Sequence, residues 1–229
     1  MQDRVAIRAV FYWDIMLSSL TALYMYRLAK AHFKKTDPIL YRAALLHAIE
    51  DIKPSRDVFG DLVSAIVNQQ LSSKAADTIY GRLKALAGKF GVTPKRIISL
   101  KPSAMRKCGL SKAKVKTIKG LAKAVTDKKL VLASIHVHED ARVMELLTAV
   151  KGIGPWTAEM ILMFSLGRVD VFSKGDLGLR KGIMHLYGLK KLPSDQVMDK
   201  LSRAWAPYRT YAAKVLWRVA DRKKSTQNA

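Results

Sequence analysis

Cysteine is almost missing from this chain, with Cys108 the only one in 229 residues. That excludes an intrachain disulfide and any zinc or iron–sulfur site built from four cysteines. The five histidines (32, 47, 136, 138 and 185) have no metal-ligand spacing with carboxylates. His136 and His138 would share a face only on a strand. Long apolar runs are lacking as well. Residues 11–26, FYWDIMLSSLTALYMY, are the most hydrophobic stretch, yet it is short for a bilayer and Asp14 interrupts it. It has no convincing signal-peptide cleavage site, so a buried or capping N-terminal helix is expected there. Residence in the cytoplasm, at a nucleoid or in a nucleus is expected, without membrane attachment or secretion. No βαβ alternation and no hairpin-rich region is found.

Acidic residues are the deepest deficit. Lys and Arg number 41 against 18 Asp and Glu, a net charge of +23. Such an excess concentrates polyanions near the protein and makes their binding strongly salt-dependent. Nucleic acid is the expected partner, with a merely solvated basic surface or an anionic membrane as alternatives.

What the chain does have is helical periodicity. Leu62, Ile66, Leu71 and Ala75 fall near one stripe, and so do Val143, Leu146, Leu147 and Val150. Short breaks separate such segments at Asp37-Pro38, Lys53-Pro54-Ser55, Gly91 to Pro94, Lys101-Pro102-Ser103 and Leu192-Pro193-Ser194. Several place Ser, Thr or Asp just ahead of a helical pattern, as an N-cap requires. The chain reads as all-α, with about eight to ten helices and no long linker. The stretch 101–129 holds ten basic residues and one acid. Its apolar spacing gives helices with one buried face and one cationic face, suited to phosphate contact or simply to solvent.

Residues 146–182, LLTAVKGIGPWTAEMILMFSLGRVDVFSKGDLGLRKG, carry the most chemistry. An amphipathic segment meets a hairpin at Gly152-Ile153-Gly154, and a helix then opens on Pro155. The two glycines are expected to permit a tight turn with backbone N–H groups exposed to an anion. Asp176 follows among basic and apolar neighbours. It is also a sound helix N-cap ahead of Leu-Gly-Leu-Arg.

This segment resembles the helix-hairpin-helix DNA glycosylases with a Gly/Pro-rich loop and trailing aspartate (HhH-GPD), most closely the AlkA-type 3-methyladenine DNA glycosylases. Three further blocks agree, FGDLVSAIVNQQLSSKAADTIYGRL (59–83), MRKCGLSKAKVKTIKGLAKAV (105–125) and WAPYRTYAAKVLW (205–217), so the likeness spans roughly residues 37–219.

The resemblance implies two helical lobes with an active-site cleft between them. A central barrel would cover residues 60–165 with its hairpin motif at about 141–165, and residues 1–59 would join 166–229 in a discontinuous lobe. It implies Asp176 as the catalytic carboxylate, since Asp170 lacks the Leu-x-hydrophobic-Arg that follows Asp176. Lys174 would pair with Asp176 or contact phosphate. Trp156, Trp217, Gln69 and Met160 would line the base pocket, with ordinary core tryptophan as the alternative for either indole. Met160 stands where relatives often have an aromatic. Gln70 would plug the vacated stack, unless this helix end merely satisfies its own caps. Gly152, Ile153, Gly154, Lys151 and Lys114 would hold the DNA backbone, and the Val150 and Ile153 carbonyls a monovalent cation, Na+ or K+. No other cofactor is expected. The implied activity is release of alkylated purines, 3-methyladenine foremost, from double-stranded DNA by a monomer. Trp156 occupies the position of the nucleophilic lysine of lyase-active relatives, so the reaction should stop at an abasic site. A non-catalytic helix-hairpin-helix DNA-binding protein is the alternative, and a basic protein anchored to membrane by residues 11–26 a weaker one.

Overall fold

The computed structural model describes residues 25–227, so nearly all of the apolar stretch 11–26 lies outside the described residues. The all-α expectation holds, with no strand among the described residues. Their twelve α-helical segments exceed the eight to ten expected. The surplus includes two six-residue helices, Pro94–Ser99 and Pro102–Lys107, whose prolines read as punctuation in the sequence. Proline at the first helical position gives up only an N–H that has no partner there, so each break is also a start.

Backbone contacts divide the chain into two units, Pro54–Leu166 and the remainder on either side of it. The division falls ahead of the expected residue 59. Asp57 caps the helix Val58–Asn68, accepting the Gly60 N–H at 2.8 Å, and a boundary at 59 would cut its first turn.

The unit Pro54–Leu166 is built around α3 (Val58–Asn68), which buries Phe59, Leu62, Val63, Ile66 and Val67. It packs on α4 (Ser73–Ala87), α7 (Lys112–Thr126) and α9 (Pro155–Met160). The helices α5 (Pro94–Ser99) and α6 (Pro102–Lys107) lie between α4 and α7 in the chain, and α5 packs on α7. Ser72, Thr93 and Ser111 cap α4, α5 and α7, Thr93 at one of the breaks where a cap was expected. The stripe from Leu62 to Ala75 does not survive as one helix. α3 ends at Asn68, Gln70 takes a left-handed φ of 57°, and Leu71 is 40% exposed in the turn. α8 (Asp140–Thr148) buries Val143 and Leu147 and leads through the glycine hairpin into α9. α9 runs on into a π-helical turn, Ile161–Ser165, closed by the Leu166 N–H on the Ile161 carbonyl at 2.9 Å. His136 falls in a 3-10 helix, Leu132–Val137, rather than on a strand. Among the described residues no three His, Cys, Asp or Glu side chains gather where they could hold a metal ion.

The other unit contains α1 (helical over 25–36), α2 (Pro38–Leu46), α10 (Leu177–Leu186), α11 (Asp195–Trp205) and α12 (Arg209–Gln227). Phe33, Leu40, Leu179, Ile183, Met198, Trp205, Tyr211 and Leu216 form its core. Asp37 is buried but fully engaged. It caps α2 through the Ile39 and Leu40 N–H groups and accepts the Trp205 indole N–H at 2.8 Å and the Tyr187 hydroxyl. α10 and α12 approach closely because Gly182 lacks a side chain. A Cβ there would stand 2.4 Å from the Leu216 carbonyl oxygen. No helix among the described residues is long and apolar enough to cross a membrane.

Candidate active site

Asp176 is fixed from two sides within its unit. As N-cap of α10 its Oδ1 accepts the Leu179 N–H at 2.8 Å, and the same oxygen accepts the Trp217 indole N–H at 2.9 Å. The expected N-cap is present, and the indole adds a second donor to the same oxygen. Gly178 makes it possible, since a Cβ at that position would meet the Trp217 ring at 2.9 Å and Asp176 Oδ1 at 3.0 Å. Trp217 is half-buried and belongs to α12, so the α10–α12 crossing sets the hydrogen bond. The two neighbouring charges have other duties. Asp170 makes a bidentate pair with Arg209, at 2.7 and 3.0 Å. Lys174 pairs with Asp199 of α11 at 2.8 Å rather than with Asp176.

The hairpin is assembled within the other unit. Gly152 needs to be glycine twice over, for its φ of 94° and because a Cβ would stand 2.1 Å from Thr117 Oγ1 of α7. Gly154 does not match the expectation of two turn-forming glycines. Its φ of −96° is open to any residue, and its lack of a side chain instead leaves space at the start of α9. Ile153 is an anchor, 4% exposed, with its N–H on the Val150 carbonyl at 3.0 Å. Lys151 is exposed. Gln69 ties the end of α3 to this turn, donating from Nε2 to the Gly152 carbonyl at 3.2 Å and to Thr157 Oγ1 at 3.0 Å. Lys114 reaches back from α7 to the end of α3, donating to the Val67 and Gln69 carbonyls at 2.8 Å each. Burial lowers its pKa from the ordinary lysine value. Lys119 serves α5 in the same way through the Ile97 and Ile98 carbonyls. Part of the cationic face of α7 thus caps neighbouring helices.

Two hollows open beside the hairpin. One, about 640 Å³, is lined by Gln69, Gln70, Lys114, Gly154, Trp156 and Thr157 among others. Gln70 is exposed, with its left-handed backbone held by the Leu71 N–H on the Asn68 carbonyl at 3.1 Å. The second hollow, about 340 Å³, is lined by Asp61, Asn68, Trp156, Met160, Phe164 and others. The half-buried Trp156 is a wall of both. A third hollow of about 640 Å³ lies between α7 and α8, where Lys116, Lys129, Leu146 and Lys151 line it with neither carboxylate nor aromatic ring.

The glycine hairpin and the indole-walled hollow thus belong to the unit Pro54–Leu166, and the doubly held carboxylate to the other unit. The family model described as HhH-GPD superfamily base excision DNA repair protein matches residues 63–207. The chain belongs to this family. It is 36% identical over 189 residues to DNA-3-methyladenine glycosylase 1 of Schizosaccharomyces pombe, covering 77% of this chain and 80% of that protein. Among solved structures, a 3-methyladenine DNA glycosylase of the same yeast in complex with abasic DNA aligns with a TM-score of 0.77 at 34% identity, over 83% of this chain and 95% of that one. A DNA-3-methyladenine glycosidase from Bacillus halodurans aligns with a TM-score of 0.73 at 38% identity, over 86% and 90%.

Sequence reasoning missed Asp61, Asn68 and Phe164 as wall residues. Each left a signal. Asp61, Ser64 and Asn68 recur at helical spacing as a polar stripe on an otherwise apolar α3, and Phe164 continues the four-residue rhythm of Trp156 and Met160. Phe164, one turn after Met160 and within the π-helical stretch, lines the same hollow.

Proposed function

We propose that this enzyme, of the DNA-3-methyladenine glycosylase type, extrudes alkylated purines from double-stranded DNA as a monomer. It hydrolyses the N-glycosidic bond and leaves an abasic site without cutting the strand. The observation that carries the reading is the twice-held carboxylate of Asp176. An anion fixed in advance stabilises the oxocarbenium-like sugar that forms as the base departs, and it orients or deprotonates the attacking water. A methylated purine is electron-poor and often cationic, so it leaves with little acid assistance, and one carboxylate is enough. The Trp156 indole offers such a base a stacking and cation–π surface worth about 0.5–2 kcal/mol. Gln70, exposed at the rim of its hollow, is suited to fill the vacated stack. Lys151 and the open approach to Gly154 suit the DNA backbone. The reading needs no second copy, since Asp176 and both indoles come from one chain.

The Val150 carbonyl keeps a lone pair after accepting the Ile153 N–H. With Ile153 it makes a neutral oxygen set that fits Na+ or K+ better than a divalent ion. A cation there would supply positive charge for a DNA phosphate.

Chromatography of the bases liberated from methylated DNA tests the proposal. Wild-type protein should release 3-methyladenine, and Asp176→Asn should release none while binding DNA almost as well, because Asn also caps helices. Retained turnover, or binding lost in step with turnover, would refute it. A covalent enzyme–DNA adduct trapped by borohydride would refute the absence of lyase chemistry.

A further inference from the structure

Asp61 has so far been only a wall residue without a role, and its surroundings call for an explanation. It lies in the first turn of α3, facing away from the apolar residues that bury that helix, and it lines the hollow walled by Trp156, Met160 and Phe164. Its Oδ2 is shielded from solvent and has no hydrogen-bond partner among the described residues. The nearby Tyr80 hydroxyl does not serve it, because it donates to the Gly60 carbonyl at 3.1 Å. Burial, followed by the charges of Asp57 and Asp61, pushes the Tyr80 phenol up to about 12. Helix capping does not account for the carboxylate either, since Asp57 already provides the cap. A desolvated carboxylate oxygen left without a donor is costly, and sites of this kind are commonly completed by a ligand. At about 340 Å³ the hollow is at the small end of ligand sites. One carboxylate against an indole, a thioether and a phenyl ring attracts flat cations that carry N–H groups.

We propose that Asp61 is a specificity residue that accepts a hydrogen bond from an N–H donor of the extruded purine. The hollow thereby favours alkylated bases carrying both positive charge and such a donor over neutral lesions without one. 3-Methyladenine offers its exocyclic amine, and 7-methylguanine its ring N–H and amine. Ethenoadenine is neutral and has its amine closed into a ring. The inference rests on the base-pocket reading of this hollow and adds to it a polar element that selects by chemistry as well as by shape.

The experiment compares wild-type, Asp61→Asn and Asp61→Ala proteins in three measurements. These are single-turnover release of 3-methyladenine and 7-methylguanine from methylated duplex, release of ethenoadenine from a defined duplex, and affinity for duplex bearing an abasic site. Asp61→Ala should slow methylpurine release about tenfold or more, equivalent to about 1.4 kcal/mol, and Asp61→Asn several-fold. Ethenoadenine release should be no lower than wild type, and abasic-site affinity should stay within about twofold, since no base fills the hollow there. Methylpurine release unchanged in both variants would overturn the inference. So would a parallel fall in abasic-site affinity or ethenoadenine release, which would mark Asp61 as structural. Wild-type protein that liberates no base from any of these substrates would overturn the glycosylase reading itself, and the inference with it.

Discussion

The Asp176–Trp217 pair sets what one hydrogen bond contributes. The indole N–H fixes a charged acceptor at 2.9 Å, and hydrogen bonds to charged groups are worth about 1.5–3 kcal/mol. Trp217→Phe keeps a ring but removes the donor, so Asp176 retains only its cap. Base release should slow by roughly tenfold or more, with DNA affinity nearly unchanged, as read by single-turnover kinetics beside equilibrium binding. Lys114 poses a sharper question, because sequence position assigned it to the DNA backbone while its ammonium holds the Val67 and Gln69 carbonyls. Lys114→Met should lower thermal stability by about 1 kcal/mol and leave the salt dependence of DNA binding unaltered. A shallower salt dependence without loss of stability would return Lys114 to the phosphate contacts.

Among the elements, the crossing of α10 and α12 is sensitive to mutation because backbone lies against Gly182. Gly182→Ala would drive a methyl group into the Leu216 carbonyl, and overpacking of this kind costs about 1–3 kcal/mol. Thermal melts should show that loss, together with weaker base release, since the crossing carries Trp217 to Asp176. Little of this crossing was legible in the sequence. Gly178 and Gly182 stood in a helical pattern with nothing to say which helix would approach them. The caps, by contrast, were plain at Asp37, Thr93 and Ser194, because a side-chain oxygen one residue before a periodic segment has a local cause. Asp176 and the Gly152 turn were legible for the same reason. The π turn and the left-handed Gln70 were not, since no glycine or proline marks either and groups around the Gln70 turn, such as Lys114 on the Gln69 carbonyl, come from far along the chain. Asp61 was hidden by the same limit. A polar stripe on a helix reads as a wet face until the hollow that faces it is known.

At the scale of the whole molecule, charge and buried phenols govern the response to solution conditions. With +23 net charge, affinity for undamaged duplex should fall steeply with salt, on the order of 10³-fold between about 50 and 200 mM, in a titration of binding against ionic strength. Alkali should act on the fold itself. Burial, then the charge of Asp51, pushes the Tyr26 phenol up to about 12, and Tyr80 reaches the same value. Tyr187 and Tyr211 are raised as well, first by burial and then by Asp37 and Asp51 respectively. Each keeps its proton in the folded chain where the unfolded chain has lost it. That stability is complete below about pH 10 and drains away as pH climbs toward 12. Melting temperatures should drop across that window, less steeply in Tyr26→Phe. The double duty of Asp176 has a consequence for how such a protein decays. The residue proposed to do the chemistry also starts a helix, so a descendant relieved of repair but still required to fold would sooner drift to Asn or Ser there than to Ala or Leu. A silent descendant would therefore keep its shape, and only the identity of that single side chain would tell it from a working enzyme.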